Sequence, residues 1–271
     1  MTVSIFGCGW FGLHFAKTLI SEGHEVKGST TTPEKIEDLR SNGIQPYLIN
    51  FLSASHSPFD TSFFRCDLLV IAIPPKVRYS TGDDYMFAIK ELVRQVKSNQ
   101  IPKVLLISST SVLGDLNSEV DELTVPTPTS RSGEVMLESE LHFRSEKAFS
   151  TTIVRFGGLV GPDRDPGRFF AGKKKIPNGR APVNLIHLQD CSSICNAIIA
   201  KNAFGYTIHA CSSDHPRKMD FYRLCTRKSR LPEPEFIDEL KEWKIVNSVH
   251  IQTLLDYDFK VKNWSEWINA D

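Results

Sequence analysis

Three glycines near the start of the chain have the spacing of a phosphate-binding turn. Gly7, Gly9 and Gly12 form G-x-G-x-x-G between a short apolar run over 3–6 and an amphipathic run over 13–20. Gly7 permits a tight turn out of a strand. Gly9 lets backbone N–H groups approach a pyrophosphate with no Cβ in the way, and Gly12 lets the following helix pack closely on the sheet. Trp10 and Phe11 complete the turn and open that helix, whose positive end then faces the phosphates. The bland alternative is an ordinary glycine-rich turn, but the strand-to-helix context is the one a dinucleotide site requires.

The second strand bears on which dinucleotide. A turn and strand over 23–30 end about twenty residues after the glycines, where an NAD site carries Asp or Glu on the ribose hydroxyls. Here the strand runs into Ser29, Thr30 and Thr31, with Lys35 one turn further on. With no carboxylate to repel it, a 2′-phosphate can accept hydrogen bonds from these groups. This favours NADP, with NAD the alternative. The threonines can equally cap a short helix over 33–35.

A chain of 271 residues can bury a substantial core. Lys plus Arg number 32 and Asp plus Glu 32, so no charge excess points to nucleic acid. The six cysteines, at 8, 66, 191, 195, 211 and 225, show neither C-x-x-C nor a metal-ligand spacing. They read as reduced thiols of a cytoplasmic protein with no metal. No apolar stretch is long enough to span a bilayer, so no membrane partner is expected.

Strand and helix signals alternate. Further strands are expected over 46–51, 67–73, 103–108 and 151–156, with a helical period through Phe87, Ile89, Leu92, Val93 and Val96. Near-continuous apolar strands separated by helices imply an α/β chain with a doubly wound parallel sheet, the Rossmann fold. The sheet domain is expected over 1–160. A smaller C-terminal substrate lobe is expected over 161–271, a strand or helix of which can return to the sheet domain. Ligands of such sheets lie at the strands' carboxyl ends. The cofactor-contacting set therefore adds Asn50 and Phe51, then Ala72, Ile73 and Pro74, then Ser108 and Phe156.

Later segments resemble a known family. Residues 108–115 (SSTSVLGD), 154–162 (VRFGGLVGP) and 184–190 (NLIHLQD), with the tail over 244–267, resemble in order the NAD(P)-dependent epimerase/dehydratase group of extended short-chain dehydrogenase/reductases. The resemblance implies an active-site hydroxyl at Ser109 and a Tyr-x-x-x-Lys pair as proton donor and its electrostatic support. Aligned on Gly133, Leu137 and Glu140, the tyrosine position falls on Ser132 and the lysine position on Met136, while Leu113 replaces the tyrosine often found before Gly114. The chain is thus more like the atypical members. It reads as an NAD(P)-dependent oxidoreductase or epimerase/dehydratase-like enzyme with a non-standard acid/base, acting on a small polar or nucleotide-linked substrate. The alternative is a catalytically silent NAD(P)-binding sensor or regulatory protein.

Ser109, Thr110 and Ser111 follow the fifth strand and can contact substrate or merely cap a loop. Arg168, beside Phe169 and Phe170, is the anion-binding candidate because guanidinium forks match phosphate and carboxylate. His187 is a substrate-binding candidate on an apolar run, where a hydrogen-bonded buried histidine is the ordinary alternative. The run Lys173-Lys174-Lys175 reads as a solvated loop. Tyr79 and Tyr85, after Ile73-Pro74-Pro75, can replace the missing tyrosine or simply pack. Two helices, one with Phe87 to Val96 and one with Val135, Leu137, Leu141 and Phe143, resemble the family's dimer-forming pair, so a homodimer is expected.

Overall fold

A computed structural model describes residues 1–51, 59–75, 77 and 82–270. The strands are β1 (Thr2–Phe6), β2 (Glu25–Thr30), β3 (Gln45–Leu48), β4 (Leu68–Ile71), β5 (Lys103–Ser109), β6 (Ser118–Val120), β7 (Ser150–Phe156), β8 (Gly158–Val160), β9 (Leu185–His187), β10 (Thr207–Ala210) and β11 (Lys244–Val246). The helices are α1 (Trp10–Ser21), α2 (Ile36–Ser41), α3 (Asp83–Ser98), α4 (Arg131–Ser145), α5 (Leu188–Ala200), α6 (Lys218–Lys228), α7 (His250–Thr253) and α8 (Trp264–Ala270).

Seven strands form the main sheet in the order β3-β2-β1-β4-β5-β7-β10. The β1–β2, β1–β4, β2–β3 and β4–β5 ladders are parallel. The chain runs outward from β1 to β3, returns to β4, and then runs outward on the other side. The strand order therefore reverses between β1 and β4, where Phe6 lies opposite Ile71. A crevice outside the carboxyl ends of two such strands is where open α/β sheets hold ligands. The doubly wound parallel sheet of the sequence reading is the observed one, and its seventh strand, β10, comes from the stretch assigned to the lobe. β3 is shorter than expected and leaves Asn50 and Phe51 beyond the strand.

The chain divides into two compact units. The first is Met1–Val112, Pro128–Arg155 and Cys195–Thr207, and the second Leu113–Thr127, Phe156–Ile194 and Ile208–Asp271. In the first, α1 turns Phe11, Gly12, Phe15, Ala16 and Leu19 inward, one face at helical spacing. Beneath the end of β1, Phe6, Phe51, Phe59, Phe63 and Phe64 pack in stacked and edge-on contacts, with Phe6 and Phe51 centroids 5.3 Å apart. Helices α3 and α4 bury Ile89, Leu92, Val96, Val135 and Phe143 and leave Phe87 and Leu141 exposed.

A buried ion pair fastens α4 to the sheet. Arg155 donates from Nε to Glu140 Oε1 at 2.9 Å and from Nη2 to Oε2 at 2.6 Å, and Ser108 Oγ donates to the same carboxylate at 2.6 Å. The two charged side chains are 2 % and 1 % exposed, so each depends on the other for its solvation.

The second unit holds two short parallel pairs, β8–β9 and β11–β6. Its core gathers Val160, Leu185, Phe221, Trp264 and Ile268. Two carboxylates bind distant segments together. Asp190, fully buried, accepts from Tyr257 Oη at 2.6 Å, Lys260 N at 2.8 Å and Val261 N at 3.3 Å. Glu122 accepts from His209 N, Ser248 Oγ and Val249 N. Burial opposes its charge, but these donors outweigh it and hold the carboxyl below the usual range.

Replacing Arg155 with Leu strands the Glu140 carboxylate in the core and should lower unfolding stability by about 3–5 kcal/mol. A urea midpoint unchanged from the parent would show that the pair contributes nothing to the fold.

Candidate functional site

The glycine turn occupies the crevice between the carboxyl ends of β1 and β4, and each glycine has its own reason. Gly7 has φ +105, and a Cβ there would sit 2.8 Å from Ile73 Cγ2. At Gly12 a Cβ would come 2.3 Å from the Gly7 carbonyl oxygen, so α1 can approach the turn only as glycine. Gly9, the N-cap of α1, has ordinary extended angles, and a Cβ on it would meet nothing within 4 Å. The fold explains Gly7 and Gly12, whereas at Gly9 it leaves open space over a helix N-terminus. That terminus has no side-chain cap and no acidic residue in its first turn. This is the surface a phosphate group needs.

A cleft of about 290 Å³ opens at this turn. Of the sequence candidates it gathers Gly7, Gly9, Ser29, Thr30, Thr31, Lys35, Phe51, Ala72, Ile73 and Pro74. Phe11 and Gly12 instead face the sheet, Trp10 is half-buried outside the lining, and Asn50 is exposed beside it. Ser108 is spent on Glu140, and Phe156 is buried in the second unit. The cleft also takes Phe6, Cys8, Thr32 and Ile49, none of which was a candidate. Phe6, Cys8 and Ile49 adjoin chosen residues on strand ends, and Thr32 continues the threonine run. Burial pushes the Cys8 thiol up to about 12, so it stays protonated there.

No Asp or Glu is among the described residues lining the cleft, and Lys35 is its charged residue. The hydroxyls on its rim differ in role. Ser29 Oγ accepts from Gly7 N at 3.0 Å and Cys8 N donates to Ser29 O at 2.9 Å, so Ser29 braces the glycine turn from β2. Thr30 Oγ1 accepts from Thr32 N at 3.1 Å and closes the turn that presents Thr31, Thr32 and Lys35.

After β5 the chain makes one 3₁₀ turn, Thr110–Val112. Ser109 Oγ accepts from Ser111 N at 3.1 Å, which leaves its own O–H to donate elsewhere. Thr110 is buried, and Ser111 Oγ is enclosed with no hydrogen-bond partner. On α4, Ser132 is half-buried and Met136 only 4 % exposed. Tyr85, reaching over from α3, donates to Met136 Sδ at 3.5 Å. Burial pushes the Tyr85 phenol up to about 12, and its hydroxyl is packed between helices. Tyr79 lies outside the described residues.

In the second unit, His187 is buried with Nδ1 accepting from Gln189 N at 3.3 Å and its ring centroid 5.3 Å from that of Trp267. Arg168 is exposed, 3.8 Å from Asp165. Lys174 pairs with Glu235 at 3.1 Å in an exposed loop. Among the described residues no group of three or more His, Cys, Asp or Glu could hold a metal ion, and no helix is long and apolar enough to cross a membrane.

No protein-family model matches the chain. It is 35 % identical over 264 residues to Protein YeeZ of Escherichia coli (strain K12), covering 95 % of each chain, and equally to Protein YeeZ of Escherichia coli O157:H7. Among solved structures it is similar to a functionally unknown conserved protein from Silicibacter pomeroyi DSS, with a TM-score of 0.81, 22 % identity and coverage of 99 % of this chain and 97 % of that one. It is also similar to UDP-glucose 4-epimerase of Thermotoga maritima, with UDP-glucose, at a TM-score of 0.79, 14 % identity and coverage of 99 % and 98 %. A third is UDP-glucuronic acid 4-epimerase of Bacillus cereus in complex with NAD, at a TM-score of 0.80, 20 % identity and coverage of 100 % and 97 %. The last three likenesses are of fold.

Two glycine variants should separate folding from binding. Gly9→Val should keep the parent's thermal midpoint while abolishing dinucleotide binding in calorimetry. Gly12→Val should cost about 1–3 kcal/mol of stability by forcing α1 off the turn. Undiminished NADPH or NADH affinity in the Gly9 variant would remove the pyrophosphate from this cleft.

Proposed function

This chain belongs to the family of Escherichia coli Protein YeeZ, and we propose that it is an NAD(P)-dependent oxidoreductase or epimerase/dehydratase-like enzyme. Its substrate would be small and polar or nucleotide-linked, and its acid/base non-standard. The observation that carries this reading is the open space over Gly9 at an uncapped helix terminus, in a cleft at the strand-order reversal. The fold shared with epimerases that bind UDP-sugars and NAD supports the substrate class.

When bound, the dinucleotide supplies a nicotinamide that accepts or returns a hydride. The protein's part is binding, orientation and proton handling. The α1 terminus holds the pyrophosphate by backbone donors and its dipole. Ser29 keeps the turn in place through Gly7 N. Thr31, Thr32 and Lys35 form the rim for the adenosine ribose and, with no carboxylate beside them, suit a 2′-phosphate. NADP is therefore the proposed cofactor.

Ser109 is the proposed catalytic hydroxyl. Its Oγ is fixed by Ser111 N and its proton remains available for a substrate oxygen. Ser132 has neither the reach nor the acidity of tyrosine, and Met136, buried under Tyr85, brings no charge to support a proton donor. That uncharged position is also what favours the second reading, a dinucleotide-binding sensor without turnover.

In calorimetry NADPH should bind more tightly than NADH. Lys35→Ala should weaken NADPH roughly tenfold and leave NADH unchanged. Thr31→Asp should reverse the order by repelling the 2′-phosphate. A parent protein that prefers NADH would overturn the NADP assignment.

Turnover should fall by about ten- to ten-thousand-fold in Ser109→Ala and little in Ser132→Ala, measured across carbonyl and UDP-sugar substrates. If Ser132→Ala abolishes turnover while NADPH binding persists, the proton donor is Ser132. If no substrate is turned over at all, the sensor reading replaces the enzyme.

A further inference from the structure

The second unit contains a cavity of about 650 Å³ that shares no residue with the dinucleotide cleft. Its size suits a small molecule. One wall is the half-buried ring of Trp267, beside the buried His187. The polar wall is partly committed. Asp165 already accepts from Gly167 N at 2.7 Å and Ser229 Oγ at 2.8 Å, which fixes that side of the pocket.

Asp163, Gln189 and Lys228 also line the cavity, and among the described residues their side chains have no hydrogen-bond or ion-pair partner within the chain. Asp163 stands at a left-handed φ of +61 in a turn closed by Arg164 N donating to Gly161 O at 3.0 Å, so its position is set by the backbone. These groups are respectively an acceptor, a donor-acceptor and a donor. A phosphate would face Asp163 and Asp165, and an organic cation would face Lys228. A neutral molecule rich in hydroxyls satisfies all of them, since each hydroxyl both donates and accepts. Its C–H face can lie against the apolar body of the Trp267 ring.

We propose that this cavity is a binding site for a neutral polyhydroxylated ligand, a sugar ring, held between Trp267 and the Asp163, Gln189 and Lys228 side chains. The site does not rest on the dinucleotide reading. Its ligand could be a free sugar or the sugar end of a larger molecule.

The test titrates the full chain with D-glucose, D-glucosamine, D-glucuronate and UDP-glucose, read by saturation-transfer NMR and tryptophan fluorescence. Glucose should bind with a Kd of about 1 mM or somewhat weaker, and the charged sugars no better. Asp163→Asn and Lys228→Met, both at exposed positions, should each weaken glucose roughly three- to tenfold. Gly9→Val should leave glucose binding intact, which separates this site from the dinucleotide cleft. Glucose binding also places a free sugar within the site's range, whereas UDP-glucose binding that the Asp163→Asn, Lys228→Met double variant weakens, with none by glucose, would restrict it to a sugar carried on a larger molecule. The proposal is overturned if neither glucose nor UDP-glucose binds, if one charged sugar is preferred more than tenfold, or if affinity is unchanged in the Asp163→Asn, Lys228→Met double variant.

Discussion

In the first unit the backbone of α1 at Gly12 lies so close to the carbonyl of Gly7 that a single methyl group would be 2.3 Å from oxygen. That contact sets where the helix begins. It brings the N-terminus of α1 to the mouth of the β1–β4 crevice, directs the helix dipole outward, and leaves Gly9 facing empty space. The Phe6–Phe51 stack and the Ser29 hydroxyl hold the same turn from two other sides. Backbone packing, rather than any single polar side chain, thus makes the cleft.

Much of this was legible in the chain because glycine spacing encodes backbone geometry directly. The alternation of apolar strands and amphipathic helices likewise gave the parallel sheet, since burial on both faces leaves few other arrangements. Side-chain commitments were less legible. Ser29 reads as a rim hydroxyl from its place in the sequence, yet a hydrogen bond to Gly7, 22 positions away, turns it into a brace. Ser108 looks like a cofactor contact and is instead held by Glu140, 32 positions away. Local pattern cannot report which distant partner takes a hydroxyl. That a strand or helix of the lobe can return to the sheet was legible, but not that it is β10, whose four residues join the sheet only through tertiary pairing.

The helix that carries Ser132 and Met136 is anchored below those positions by the Arg155–Glu140 pair, one turn after Met136. Electrostatics is therefore concentrated at the base of α4, in a fully satisfied network. The neighbouring position is apolar and covered by a phenol that burial keeps protonated. A charged network that fixes the helix thus sits one turn from an apolar, neutral position.

The interleaved path of the chain has a consequence for how the molecule is made. The first unit draws its last segment from Cys195–Thr207, after most of Phe156–Ile194 has been laid into the second. The second unit in turn waits for Tyr257, Lys260 and Val261 to reach Asp190. At a synthesis rate of about 5–20 residues per second, the early strands spend several seconds on the ribosome with β7 lacking its outer neighbour. A growing chain thus presents β7 as an unpaired sheet edge, open to pairing with other strands, until Thr207–Ala210 emerge.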